Sequence, residues 1–187
     1  GAPARLFVGL GTLAVASLPA LWYMLHDYQQ RRLVGFLNPS ADPYGAGYHI
    51  TQSKIAIGSG GFTGKGWLEG TQAQLDFLPE RHTDFIFAVL SEEFGMLGAL
   101  VLLGLYLALT FRGLTIAFRS REMYNRLVAA GLSTVFFFYV VINIGMTTGL
   151  LPVVGVPLPL VSFGVSSLVA LLTGLGLVMG VSMRRGR

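Results

Sequence analysis

Four long apolar segments set the terms for this chain, at residues 6–25, 85–118, 124–151 and 158–183. A bilayer's hydrocarbon core is about 30 Å thick, and a helix rising about 1.5 Å per residue crosses it in about 20 residues. Each segment is long enough to do so. Glu92 and Glu93 interrupt the second segment, which is therefore expected to form an interfacial helix followed by a spanning helix. Trp22 and Tyr23, near the end of the first segment, suit an aromatic belt at a membrane interface.

Composition agrees. Charged residues make up 12% and hydrophobic residues 53%, whereas soluble domains carry about 25% charged residues. The 25 glycines fit helices that approach one another closely. No cysteine is present, which excludes disulfides, thiolate metal sites and cysteine nucleophiles. The expected fold is all-α: a polytopic membrane helix bundle of four spans with one large structured extracytoplasmic loop, residues 26–84, in a single integral membrane domain. The chain opens at Gly1 without Met, basic n-region or cleavage site, which does not match a signal peptide. It is expected to be the later part of a larger domain.

Arginines orient the spans. Arg112, Arg119, Arg121 and Arg126 fall between the second and third, and Arg184, Arg185 and Arg187 follow the fourth. Both clusters are expected in the cytoplasm. The uncharged connection around 152–157 and the loop 26–84 are then outside. Arg31, Arg32, Lys54, Lys65 and Arg81 lie in that loop, but long loops are weak topology signals. The loop holds apolar pieces at 55–57 and 67–68 and turn signals at Asn38-Pro39 and Asp42-Pro43. A short helix over 47–57, closed by Gly58, is expected within it.

Several polar groups admit two readings. The run Gly58-Ser59-Gly60-Gly61-Phe62-Thr63-Gly64-Lys65-Gly66 resembles a phosphate loop but lacks the first glycine and the magnesium-binding hydroxyl. It is either an anion-binding nest, with Lys65 or Lys54 adding charge, or a tight turn. Asp84 stands where the loop re-enters apolar sequence, in the cluster Asp76, Glu80, Arg81, His82, Thr83. Partial desolvation there would raise its pKa and make it a general base. Alternatively Thr83 or Asp84 caps the following helix, which would lower that pKa. Glu92 and Glu93 either face a cavity or a partner, or sit wet at the interface. Asn143, Thr147, Thr148, Ser162, Ser166 and Ser167 either line an outward cavity or make ordinary interhelical hydrogen bonds. Residues 136–139 are lipid-facing or packing surface, and His26, His49 and His82 lack metal-ligand spacing.

Four stretches together resemble the SEDS family, which contains RodA and FtsW. They are RLVGFLNPSADPYGAGY at 32–48, QSKIAIGSGGFTGKG at 52–66, FLPERHTDFIFAVLSEEFG at 77–95 and NIGMTTGLLPVVGVPLPLVSFGVSSL at 143–168. They cover nearly the whole chain, in order and with the family's spacing, and look closer to RodA than to FtsW. One departure is Val165, where the family usually has a second Gly before Ser166-Ser167.

The resemblance implies a peptidoglycan glycosyltransferase that polymerises lipid II on the outer face of the bacterial cytoplasmic membrane, during cell-wall elongation and shape maintenance. The family forms bundles of about ten helices, of which this chain resembles the last four. The aspartate of the family's His-Thr-Asp-Phe stretch is Asp84, here expected as the base of an inverting transfer. Glu80 and Asp76 are its expected supporting carboxylates. Lys54, Lys65 and Arg81 are expected at the diphosphate, with backbone donors from the turn at Ser59 and Gly60. A divalent cation, Mg or Mn, is the one cofactor considered. The partners implied are lipid II, membrane lipid, a class B penicillin-binding protein and other elongation-machinery proteins, with no nucleic acid. The rival functions are a lipid II flippase and a non-catalytic scaffold. The gathering of polar residues on one outside loop disfavours the first. A buried carboxylate such as Asp84, which a scaffold does not need, disfavours the second.

Overall fold

The computed structural model describes residues 4–38, 45–75 and 82–184, and among them the chain is all-helical. The elements are α1 (Ala4–Met24), α2 (Asp27–Leu37), α3 (Ala46–Ser59), α4 (Thr71–Gln74), α5 (Ile86–Arg119), α6 (Met123–Thr147) and α7 (Val165–Arg184). Three of them, α5, α6 and α7, are long and apolar enough to cross a membrane.

Among its described residues, the segment 26–84 carries α2, α3 and α4. At its start α1 ends and α2 begins within two residues. Gln30 Nε2 takes the Trp22 and Leu25 carbonyls that end α1, and Gln29 Oε1 accepts the His26 N–H that opens α2. The helix expected over 47–57 runs longer at both ends and closes on Gly60, not Gly58.

α3 lies against α5 and α6. Ile50, Ala56, Phe85, Ala88 and Val153 form one buried cluster, and Ser53 Oγ donates to the Thr147 carbonyl at 2.7 Å. α5 and α6 pair along their length. Tyr106 and Phe136 pack at 5.9 Å in a second cluster with Phe87, Val140 and Leu158. α7 closes on the far ends of both through Ile116, Ala117, Ala129 and Val178. Of the aromatic run 136–139, Phe136 is core and the other three are exposed.

α5 is interrupted at Gly95, whose φ of 66° and ψ of −164° no helix contains. That conformation is open to glycine and strained for other residues. The break frees carbonyls before it and N–H groups after it, and the glycine-rich loop takes four of them. Lys65 N and Gly66 N donate to the Glu92 and Glu93 carbonyls, each at 3.0 Å. Met96 N and Leu97 N donate to the Gly61 and Phe62 carbonyls at 2.9 and 3.1 Å. The helix is thus spliced through a loop some 30 residues away in sequence. The 24 residues beyond the break rise about 36 Å, enough for a bilayer core.

Two expected boundaries shift. The segment 124–151 leaves helix at Thr147. Gly149, at φ 72°, closes α6 in a Schellman motif: Gly149 N donates to the Met146 carbonyl and Leu150 N to the Gly145 carbonyl. The segment 158–183 stays irregular until Val165. Pro152, Pro157 and Pro159 lack the N–H a helix needs there. Side chains hold the irregular stretch instead: Tyr106 Oη donates to the Pro159 carbonyl at 2.6 Å, and Ser162 Oγ accepts the Leu158 N–H at 2.7 Å.

Candidate functional site

Residues 82–85 form a turn that delivers the chain into α5, and two other elements grip its backbone. Ser162 Oγ donates to the Thr83 carbonyl, and Phe163 N donates to the His82 carbonyl at 2.8 Å. From α6, Asn143 Nδ2 donates to the Asp84 carbonyl at 2.8 Å and to the Val156 carbonyl at 2.7 Å. The cap position of α5 is Phe85, which makes no side-chain cap.

The half-buried Asp84 carboxylate reaches the connection between α6 and α7. A Cβ built on Gly155, at φ 82°, would stand 3.3 Å from Asp84 Oδ2, so the carboxylate occupies space that a side chain at 155 would contest. Arg32 on α2 ties down the same connection. Its Nη1 donates to the Val153 and Val154 carbonyls at 3.0 and 2.9 Å while its guanidinium lies 4.4 Å over the Tyr28 ring. In the sequence Arg32 is one of several loop cations, and Asn143 is one of several polar residues that either line an outward cavity or bond between helices. Neither pattern nor charge shows that both side chains end on one stretch of backbone.

Lys54, exposed on α3, lies against the C-terminal end of α6, where a Cβ on Gly149 would stand 2.6 Å from its Nζ. A cation there complements the helix dipole.

The other candidates gather elsewhere, about two turns further along α5 at Glu92. Glu92 is fully buried. Its Oε1 accepts from Lys65 Nζ at 2.6 Å, Thr71 Oγ1 at 3.1 Å and Ser59 Oγ at 3.4 Å, and the Gln72 N–H reaches both carboxylate oxygens at 3.2 Å. Gly60 packs on the Ser91 backbone too closely for any side chain. Ser59, Gly60 and Lys65 thus join the helix break and its buried ion pair, while Lys54 faces the start of the α6–α7 connection and Asp84 its middle. The geometry accounts for the Gly58–Gly66 run as a splice for α5. Glu92 and Glu93 are both buried at that splice, and Glu92 has found a partner. Asp76, Glu80 and Arg81 lie outside the described residues. Among the described residues no three His, Asp or Glu side chains converge as a metal cage.

On this fold and site the chain can be placed among known proteins. It matches the model of the cell cycle protein family of FtsW, RodA and SpoVE over residues 1–186, and it belongs to that family. It is 58% identical over 180 residues to the peptidoglycan glycosyltransferase MrdB of Escherichia coli K12, covering 95% of this chain and 49% of that protein. It is 46% identical over 162 residues to the peptidoglycan glycosyltransferase RodA of Treponema pallidum, covering 87% and 37%. Among solved structures it resembles a chain of a peptidoglycan synthase complex described as coordinating polymerization and crosslinking. That match has a TM-score of 0.78 and 37% identity, covering 97% of this chain and 49% of that one. It also resembles an Asp→Ala mutant of the rod shape determining protein RodA of Thermus thermophilus, with a TM-score of 0.56 and 41% identity, covering 66% and 39%. The chain therefore spans about half the length of these relatives or less.

Proposed function

We propose that this chain carries the outward-facing acceptor site of a peptidoglycan glycosyltransferase, which polymerises lipid II into glycan strands during cell-wall elongation. The observation that carries the reading is the Asp84 turn: a half-buried carboxylate against Gly155, its backbone gripped from α6 and from the segment after Pro159. The family relationship and the names of the similar proteins support the reaction class.

In the reaction, an acceptor-sugar hydroxyl attacks the anomeric carbon of the lipid-linked sugar. The new glycosidic C–O bond forms as the bond to the diphosphate oxygen breaks, and the electron pair leaves on the diphosphate. Asp84 takes the hydroxyl proton. General-base assistance of this kind is worth roughly 10²- to 10⁴-fold. The departing diphosphate gathers negative charge and needs cations. Lys54 is exposed and meets this need directly. Arg81 joins it, and Asp76 and Glu80 support the base, whereas Lys65, Ser59 and Gly60 are taken up by Glu92 and the helix break. A divalent cation, Mg or Mn, would serve the same charge. Asp84 would supply one carboxylate ligand toward it.

The membrane reading adds α1, 21 residues long, as a fourth span beside α5, α6 and α7. Arg112, Arg119, Arg121 and Arg126 then face the cytoplasm, and residues 26–84 lie outside the bacterial inner membrane. The partner is a class B penicillin-binding protein, in keeping with the similarity to a synthase complex.

The test is polymerisation of purified lipid II by the full-length protein with its transpeptidase partner, with glycan chains resolved on a gel. Asp84→Ala and Asp84→Asn should abolish chains while the protein stays folded and partner-bound. Normal chains from either folded variant would remove Asp84 as the base.

A further inference from the structure

We propose that Asn143 is a positioning residue for the Asp84 carboxylate, acting as a clamp between two backbone segments that are distant in sequence. The proposal rests on the reading of Asp84 as the base.

Asn143 is fully buried on α6. An amide nitrogen carries two protons. Here one goes to the Asp84 carbonyl and the other to the Val156 carbonyl, at 2.8 and 2.7 Å. Those carbonyls belong to the two segments whose spacing fixes where the carboxylate lies. Val156 follows Gly155, and Gly155 faces Asp84 Oδ2. One side chain therefore sets the gap between the turn that carries the carboxylate and the backbone that the carboxylate touches.

The remaining atom points the same way. Among the described residues, Asn143 Oδ1 is buried without a hydrogen-bond partner. A buried acceptor left unpaired is a liability to the fold, and native structures hold few of them. Packing alone does not call for an amide at this position. Its two donors are what the site uses, and neither Leu nor Asp at 143 can supply them.

The test uses the full-length protein in membranes with lipid II and follows Asn143→Ala and Asn143→Ser. A displacement on the scale of 1 Å at a reacting group can cost about 100-fold in rate. Asn143→Ala should therefore lower kcat by about 10- to 100-fold with KM changed less than about two-fold. Asn143→Ser, which keeps one donor, should fall between Ala and wild type, and it carries the comparison if the Ala variant does not fold. Amide hydrogen exchange should quicken at 82–86 and 155–158 and stay unchanged along residues 126–140 of α6. The proposal is overturned by full kcat in a folded Asn143→Ala or Asn143→Ser protein. A fall in kcat that tracks uniformly faster exchange overturns it as well, since that marks a merely structural role. Asp84→Asn, run beside them, separates the two ideas. Normal polymerisation by that variant defeats the base reading, whereas a dead Asp84→Asn next to a fully active Asn143→Ala defeats the clamp alone.

Discussion

Lys65 Nζ lies 2.6 Å from Oε1 of Glu92, whose side chain is wholly enclosed, while the lysine keeps about a quarter of its surface in contact with solvent. The pair joins the glycine-rich loop to α5 three residues before its break and, through Thr71 and Gln72, gathers in α4. Removing one member of such a pair leaves a charge stranded and costs about 3–5 kcal/mol, whereas replacing both with apolar residues is often close to neutral. Lys65→Met should therefore lower the melting midpoint in detergent sharply, and Lys65→Met with Glu92→Leu should recover most of the loss. A single variant as stable as wild type would show that the pair contributes little.

The splice at Gly95 predicts a sharp contrast between the glycines that form it and Gly58 just before it. A Cβ on Gly64 would stand 2.7 Å from Gly95 N and still closer to the Glu93 carbonyl, whereas a Cβ on Gly58 meets nothing within 4 Å. Gly64→Ala and Gly95→Ala should abolish folded protein, as judged by monodisperse elution from a sizing column. Gly58→Ala, inside α3, should be neutral or stabilising by about 0.5–1 kcal/mol. A well-folded Gly64→Ala protein would contradict the geometry of the break.

Lys54 and Arg32 should separate substrate binding from stability. Lys54 is exposed beside the end of α6, so Lys54→Ala should raise the KM for lipid II several-fold, more at low salt than at high, with little change in melting. Arg32 holds two carbonyls of the α6–α7 connection. Charged hydrogen bonds of this kind contribute about 1.5–3 kcal/mol, so Arg32→Ala should lower the melting midpoint. Steady-state kinetics together with a melting curve for each variant checks both. An unchanged KM in Lys54→Ala would take that lysine off the diphosphate.

Tyr106→Phe should show how firmly the irregular stretch depends on α5. The hydroxyl is buried and donates to the Pro159 carbonyl at 2.6 Å. Its loss leaves that carbonyl unpaired, at a cost of about 1–3 kcal/mol. Melting of the variant, with amide exchange at 158–164, reads the effect. No change in either would mean that Ser162 and the packing of Leu158 suffice.

Much of this was legible in the sequence because it depends on local composition. Runs of apolar residues mark helices wherever the chain places them, so α5, α6 and α7 are visible from hydropathy alone. The prolines at 152, 157 and 159 announce a break in helix, although not that it would persist to Val165. Asp84 stood out as a carboxylate entering apolar sequence, and the family resemblance singled out the same residue.

Which groups meet was settled by the tertiary structure. Gly58–Gly66 reads locally as a turn or a nest, and it became the missing rungs of a helix only when folded beside Gly95. Lys65 and Glu92 are 27 residues apart and Asn143 and Asp84 are 59 apart, so no period or motif links them. Sequence by itself determined which segments are helical and apolar, because that is a property of neighbouring residues. Tertiary structure decided which lysine is consumed by an ion pair, which faces solvent, and what grips the carboxylate turn. Those outcomes depend on hydrogen-bond distances of about 3 Å between segments far apart in the chain, and such distances exist only after the helices have packed.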